Sequence, residues 1–278
     1  MGLRIKTNIV SQAAIKDIRQ NGAEQGDTFA KLSSGKRINK SADDAAGLAI
    51  AKKLEAETRG LRQANRNAND GISLVQVAEG ALNESMNILT RLRELSVQAA
   101  SDTIGDKERG FLDLEYQQLV EEADRIAKST TFAGIPLIKG DSGTGEMEFH
   151  VGAYAGDDNK ISFDSDLVDV TASNLNIDGT GISDKDGAND AMPEIDDALE
   201  QVAGFRAELG SIQSRLQATV RNLETTAVNQ DAARSRIEDV DYAKAASKLA
   251  AVNIVKNAGI STLAQSNSIP TTALRLVG

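Results

Sequence analysis

The chain has 278 residues, 40% hydrophobic but only 3% aromatic, with no Cys, no Trp, one His and a net charge of −10. Absent cysteine excludes disulfides, thiolate nucleophiles and Cys-based metal sites, and a lone His150 excludes a multi-His metal centre. The charge is uneven: residues 1–53 carry ten Lys/Arg against five Asp/Glu, whereas residues 141–200 carry two against sixteen. A block that acidic must face water and repels nucleic acid.

No apolar stretch is long enough to span a bilayer. The opening MGLRIKTNIVSQ puts charges where a secretory leader needs its apolar core. Neither membrane insertion nor Sec export is therefore expected. Residues 3–32 space Leu3, Ile5, Ile9, Ala13, Ile15, Ile18, Phe29 and Leu32 as a thin helical stripe weakened by Gly22 and Gly26. Such a helix is marginal alone, because few apolar contacts offset roughly 1–2 kcal/mol of backbone entropy per residue. It needs a partner. Ser33-Ser34-Gly35 breaks the pattern, Lys36 to Lys40 form a basic connector, and Ser41 or Asp43 is the expected cap of the next helix.

That helix is predicted to run to about Ala100. Leu54, Leu61, Ala68, Val75, Leu82 and Leu89 fall every seventh residue, and three positions after each come Glu57, Ala64, Gly71, Ala78, Ser85 and Leu92, mostly small. A strict seven-residue repeat keeps one seam facing a partner in a left-handed supercoil, and the small column lets that partner approach closely. Ser101 to Gly105 punctuate. Residues 106–131 resume helical spacing through Phe111, Leu114, Leu119, Val120 and Ile126, a stripe able to fold back on the long helix. Gly134-Ile135-Pro136 ends it.

From Met147 the period becomes two. Met147, Phe149, Val151 and Ala153 alternate with polar neighbours, Ile161 and Phe163 follow, and Ala155 to Asn159 supply turn residues, which predicts a β-hairpin. Residues 164–190 read as solvated loop around one short strand. A second heptad helix follows to Ile237, with Ile195, Val202, Leu209, Leu216 and Leu223 in one column and Ala198, Phe205, Ile212, Thr219 and Thr226 in the other. Two matching seams far apart in sequence imply a mainly α fold, a long antiparallel helical coiled-coil bundle with a small β-hairpin region. Between Lys256 and Arg275 there is no charge, while Ile254, Ile260, Leu263, Leu274 and Leu276 supply apolar groups. That composition suits a helix buried among other protein helices.

Enzymatic chemistry has no carrier. There is no Gly-rich phosphate loop and no G-x-S-x-G elbow, and His150 falls on the polar side of its strand. Asp184-Lys185-Asp186-Gly187 has the start of a calcium loop without its remaining ligands. No catalytic residue, cofactor or metal is expected.

Several long blocks then carry a resemblance. LSSGKRINKSADDAAGLAIA, NANDGISLVQVAEGALNE, RLRELSVQAA, RSRIEDVDYA and AGISTLAQSN, in that order, resemble the terminal blocks of bacterial flagellins over roughly residues 1–175 and 190–278. The linker departs locally, reading NKSADDAAG where many flagellins have Ser-Ala-Lys before the paired Asp. Large flagellins also insert outer domains for which this chain has no room.

The resemblance implies a short flagellin, a filament subunit that polymerises into a tube serving swimming motility. Residues 1–43 and 238–278 would form an inner coiled-coil domain, disordered in the monomer and folding on its neighbours. Residues 44–237 would form the surrounding domain, with the hairpin at about 135–175 and an acidic loop at about 164–190. Leu3, Ile5, Ile9, Ile254, Ile260, Leu263, Leu274 and Leu276 are then expected at subunit interfaces. The heptad seam is expected to hold Leu54, Leu61, Val75, Leu82, Leu89, Ile195, Val202, Leu209, Leu216 and Leu223. Arg91, Leu95 and Glu115 match flagellin positions read by the flagellin-sensing Toll-like receptor of vertebrate hosts, with axial subunit packing as the alternative role. The implied partners are further copies, sister flagellins, an export chaperone, the filament cap and hook-associated proteins. Type III export and an extracellular filament follow from the same resemblance. A hook–filament junction protein of the same superfamily is the alternative.

Overall fold

The computed structural model describes residues 7–140 and 145–277, with side chains as far as Ile269. Five helices dominate: α1 (Ile9–Ser34), α2 (Ala45–Ala99), α3 (Asp106–Ser129), α4 (Lys185–Glu238) and α5 (Tyr242–Val277). Two short antiparallel pairs lie between α3 and α4: β1 (Thr131–Phe132) with β2 (Ile135–Pro136), and β3 (Glu146–His150) with β4 (Lys160–Asp164). The chain divides into two units, one taking residues up to Ala56 and from Asn229 onward, the other Glu57–Val228. The divisions fall inside α2 and α4, each of which runs unbroken through its division.

In the Glu57–Val228 unit the heptad columns are the core. Leu61, Ala68, Val75, Leu82 and Leu89 are buried on α2, as are Ala64, Gly71, Ala78, Ser85 and Leu92 three positions on. On α4, Ile195, Val202, Leu209, Leu216 and Leu223 are buried to match. Leu54 is only half-buried and belongs to the other unit. The pairing is antiparallel. Arg93 Nε donates to Asp196 Oδ1 at 2.6 Å and Arg206 Nη1 reaches Met86 Sδ at 3.3 Å, while Leu61 and Ala64 cluster with Leu223 and Ala227. At 55 residues, α2 extends roughly 80 Å by the helical rise.

α3 packs its Tyr116, Val120 and Ala127 into the same core. Its buried stripe also includes Arg109 and Ala123, so Phe111 and Leu114, expected to face inward, are 73% and 64% exposed. Arg109 closes the corner between α2 and α3. Its Nε donates to Ala99 O at 2.8 Å, Nη2 to Ser101 O at 3.0 Å and Nη1 to Asp106 Oδ1 at 2.7 Å. The carbonyl of Ala99, the last residue of α2, is thereby satisfied, and Ser101 O, which also accepts from Ile104 N, gains a second donor. After α3, Ala133 (φ 51°) and Gly134 (φ 85°) make the two-residue turn between β1 and β2, a hairpin too short for the sequence pattern to reveal.

The β3–β4 hairpin forms as expected, pairing Met147 with Phe163 and Phe149 with Ile161. It is seated on α2 where that helix has glycine: a Cβ added at Gly71 would lie 3.1 Å from the Phe149 ring. Asn67 Nδ2 also donates to His150 O at 3.0 Å. Residues 165–184 depart from the solvated-loop reading. No strand forms there beyond the single bridge Lys139↔Asp169, and Val168, Val170, Leu175, Ile177 and Ile182 are buried in the bundle core while the acidic residues point outward. The loop is a plug with a charged outer surface. Asp184 Oδ1 accepts from Gly187 N at 3.1 Å, so that Asp-Lys-Asp-Gly stretch caps α4.

In the other unit, α1 starts at Asn8, whose side chain accepts from Ser11 N, and ends at Gly35 with φ 71°. The cap of α2 is Asp44, its Oδ1 accepting from Gly47 N at 2.8 Å, not Ser41 or Asp43. The Asp43 carboxylate is already engaged by the N–H groups of Asn39 and Lys40, both at 3.0 Å, and by Lys31.

Two outcomes follow. Arg109→Ala leaves the Ala99 carbonyl without its side-chain donor and should lower unfolding free energy by about 1–3 kcal/mol, read as a lower urea midpoint. The backbone N–H groups of Asn39 and Lys40 hold Asp43 down to about 2 from the usual 3.8. A depressed carboxylate contributes stability that is present above its unfolded pKa and lost as pH falls. Amide exchange at Asn39 and Lys40 should therefore lose protection between about pH 4 and pH 2, and Asp43→Asn should lose it at neutral pH.

Candidate interaction surface

α1 and α5 form an antiparallel pair joined along its length by polar rungs. At one end Val240 N donates to Gly35 O at 3.0 Å, Tyr242 OH to Leu32 O at 2.9 Å, and Lys36 pairs with Glu238. In the middle Lys248 meets Glu24 at 2.7 Å, Gln25 Nε2 donates to Asn253 Oδ1 at 2.5 Å, and Lys256 Nζ donates to Gln25 Oε1 at 2.8 Å. At the far end Asn8 Nδ2 donates to Ser266 O at 2.8 Å and Ser11 Oγ to Asn267 Oδ1 at 2.9 Å.

The facing sides repeat every seventh residue, which sequence inspection missed because the repeat mixes polar and apolar residues. Ser11, Ile18, Gln25 and Leu32 on α1 are all buried or half-buried, with Ala14, Asn21 and Thr28 three positions on. On α5 the columns are Ala245, Val252, Gly259 and Ser266, and Leu249, Lys256 and Leu263. The signal that could have found them is the seven-residue spacing of small and amide side chains, not of hydrophobic ones.

Further apolar groups lie outside the seam. Ile9 is 59% exposed, Phe29 64% and Ile254 69%, and Val10, Val255, Ile260 and Ile269 are exposed with them. The seam thus mixes polar groups with Ile18, Leu32, Leu249, Val252 and Leu263, and further apolar groups lie outside it. Burying each Val, Ile or Phe would return about 1.5–3 kcal/mol, and exposed apolar surface of this extent marks an interaction face. Of the sequence-based interface residues, Ile9, Ile254 and Ile260 lie on that outer surface, whereas Leu263 is half-buried in the seam between the helices. Leu3 and Ile5, and the side chains of Leu274 and Leu276, lie outside the described residues.

The other candidate group divides. Arg91 Nη2 and Nε donate to Glu115 Oε1 at 2.8 and 3.1 Å, and Nη1 donates to Glu94 Oε2 at 3.0 Å. The hydrogen bond to Glu115, then that to Glu94, pushes the Arg91 guanidinium up from its ordinary value. This is a surface ion pair. Leu95 does not join it: the side chain is fully buried in the bundle core, one turn on from Arg91 but turned inward. The exposed apolar side chains on the Glu115 helix are Phe111 and Leu114. Both fall out of phase with the buried stripe Arg109, Tyr116, Val120, Ala123 and Ala127, and that phase was the readable signal.

Among the described residues, no cluster of three or more His, Cys, Asp or Glu side chains is arranged to hold a metal. No described helix is long and apolar enough to cross a membrane.

Comparison with known proteins accounts for this arrangement. Residues 5–142 match the bacterial flagellin N-terminal helical region and residues 192–277 the bacterial flagellin C-terminal helical region. The flagellin of Halalkalibacterium halodurans is 41% identical over 98% of this chain and 99% of its own length. The flagellar filament core protein flaB2 of Brachyspira hyodysenteriae is 37% identical over 98% of this chain and 99% of its own. Among solved structures, the crystal structure of Bacillus cereus flagellin aligns with a TM-score of 0.51 at 28% identity, covering 61% of this chain and 94% of that one. A putative flagellar hook-associated protein from Vibrio parahaemolyticus shares the fold, with a TM-score of 0.59 at 15% identity over 71% of this chain and all of that one. The chain belongs to the bacterial flagellin family.

Proposed function

We propose that this protein polymerises with copies of itself into the tubular flagellar filament, through the aliphatic outer faces of α1 and α5. As a flagellin it is a structural protein of the extracellular filament and not an enzyme. The observation that carries the self-assembly reading is the inverted helix pair, with Gln25, Asn253 and Ser266 facing inward and Ile9, Phe29 and Ile254 facing out. A lone pair in water covers the apolar groups of its seam but leaves these outer ones exposed. A pair surrounded by like pairs buries every exposed aliphatic group and keeps its hydrogen bonds. The filament core proteins among its relatives support the same reading. On it, the terminal helices are the inner domain, and residues 44–237 the surrounding one.

The finer features are extended from the family: export in an unfolded state through the flagellar type III route, addition at the distal tip beneath a cap, contacts with an export chaperone and hook-associated proteins, and a role in swimming. The Arg91–Glu115 pair serves axial packing between subunits in this proposal. A host receptor that reads the same surface would contact Arg91 and Glu115 but not the buried Leu95.

Seeded polymerisation tests the proposal. Purified full-length chain, nucleated with short seeds or a precipitating salt, should sediment as long uniform filaments, and a chain lacking residues 258–278 should remain soluble. Ile254→Asp should raise the critical concentration tenfold or more, since every 1.4 kcal/mol lost at a contact is about a factor of ten. A full-length chain that stays soluble under these conditions would favour the junction-protein alternative.

A further inference from the structure

The seven-residue repeat along the α1–α5 seam creates an ambiguity that the sequence must resolve. Sliding one helix past the other by one heptad moves it about 10 Å and brings repeat against repeat again. Small and aliphatic positions do little to oppose that slide: Ala14, Leu32, Ala245, Leu249 and Leu263 fit one another in several registers. Beside the rungs at its two ends and the exposed Lys248–Glu24 pair, two places in the middle of the seam are particular to the observed register. Ile18 packs where α5 has glycine, since a Cβ added at Gly259 would lie 3.2 Å from Ile18 Cγ1. Seven residues along, the half-buried Gln25 amide sits between two complementary groups, donating to Asn253 Oδ1 and accepting from Lys256 Nζ.

A one-heptad slip in either direction breaks the second arrangement. Gln25 would be brought to the level of Leu263 or of Leu249, neither of which offers a donor or acceptor side chain. The half-buried Lys256 ammonium would lose its acceptor as well. Leaving such groups unpaired carries the desolvation penalty of each, whereas an all-apolar seam would tolerate the slip. A polar residue inside a coiled-coil seam is known to specify register at some cost in stability.

We propose that Gln25, bracketed by Asn253 and Lys256, is the register key of the terminal helix pair. Its role rests on the assembly reading above and refines it. The outward aliphatic groups belong to both helices, so a slipped pair would present Ile254 and Ile260 about 10 Å out of place relative to Ile9 and Phe29. A lattice of identical subunits has no match for such a face. The key makes every copy present the same one.

The chain has no cysteine of its own, so a single pair of spin labels can report register. Ala13 and Ala264 are exposed, one on each helix, and Ala13→Cys with Ala264→Cys places labels outside the seam. Distances are measured in solution and in the sedimented polymer, with labelled chain diluted into a large excess of unlabelled chain. With the native key, one narrow distance is expected. With Gln25→Leu and Lys256→Leu added, a second population shifted by several ångströms, up to about 10 Å for a full-heptad slip, should appear while circular dichroism stays helical. Ile18→Ala, which removes an apolar contact of similar size, should weaken the pair but keep one distance. The exchange Gln25→Lys with Lys256→Gln should restore a single population.

A single unchanged distance in the double-leucine variant would overturn the proposal. So would failure of the exchanged pair to restore one distance, or absence of any single distance for the native key in both states. Failure of the native chain to form filaments would sink the assembly reading without moving the intrachain distance, so the two can be told apart.

Discussion

Close approach of two very long helices is the constraint on which the Glu57–Val228 unit depends. α2 devotes one heptad column to Leu and Val and the next to Ala, Gly and Ser, so that Leu209 and Val202 of α4 sit near the α2 backbone. Dispersion contacts are individually weak, so it is the length of the shared core, many turns of both helices, that makes them count. The rest is fitted to that seam. α3 covers one side with Tyr116 and Val120, the β3–β4 hairpin lays Phe149 against Gly71, and the 165–184 loop inserts Val170, Leu175 and Ile177. Each addition is shaped by a small residue or a gap that the long helices provide.

The terminal pair uses the same seven-residue grammar with the opposite chemistry. In the bundle the repeat is written in aliphatic side chains and the outside is charged. In the α1–α5 pair it mixes Ser, Gln, Thr and Gly with Ile18, Leu32, Leu249 and Val252, and further apolar groups are outside. The first arrangement is self-sufficient in water and the second is not. One chain therefore holds a part that is stable alone and a part whose surface asks to be covered.

That contrast explains which features were legible in the sequence. Leu82, Leu89, Val202 and Leu209 declared themselves because hydrophobic periodicity is the strongest local signal, and the 147–163 alternation gave the hairpin for the same reason. The α1–α5 seam stayed hidden because Ser11, Gln25 and Ser266 look like surface residues until their partners, more than two hundred positions away, are known. Phe111 and Leu114 misled in the other direction: apolar identity suggested core, while their phase against Tyr116 and Val120 put them outside. Leu95 is buried although Arg91, four positions back and only about 40° away around the helix, is exposed, so the edge of the buried stripe runs between them. The acidic 165–184 loop hid its buried face because net charge averages over side chains that alternate in and out. Asp43 and Asp44 are adjacent carboxylates, and only geometry decides which one caps a helix and which one pins the turn before it.

The rungs of the terminal pair also carry a kinetic consequence. Asn8 and Ser266 are 258 positions apart in the chain, and Ser11 and Asn267 are 256 apart. Contacts of such separation form late, because the entropy of closing the intervening loop must be met before they contribute. The bundle, whose α2–α3 corner is closed by Arg109 reaching back only ten residues to Ala99, has local contacts to begin from. The first helix of the chain must therefore wait for the last, and during that wait Ile18 and Leu32 on its seam side have no intramolecular cover.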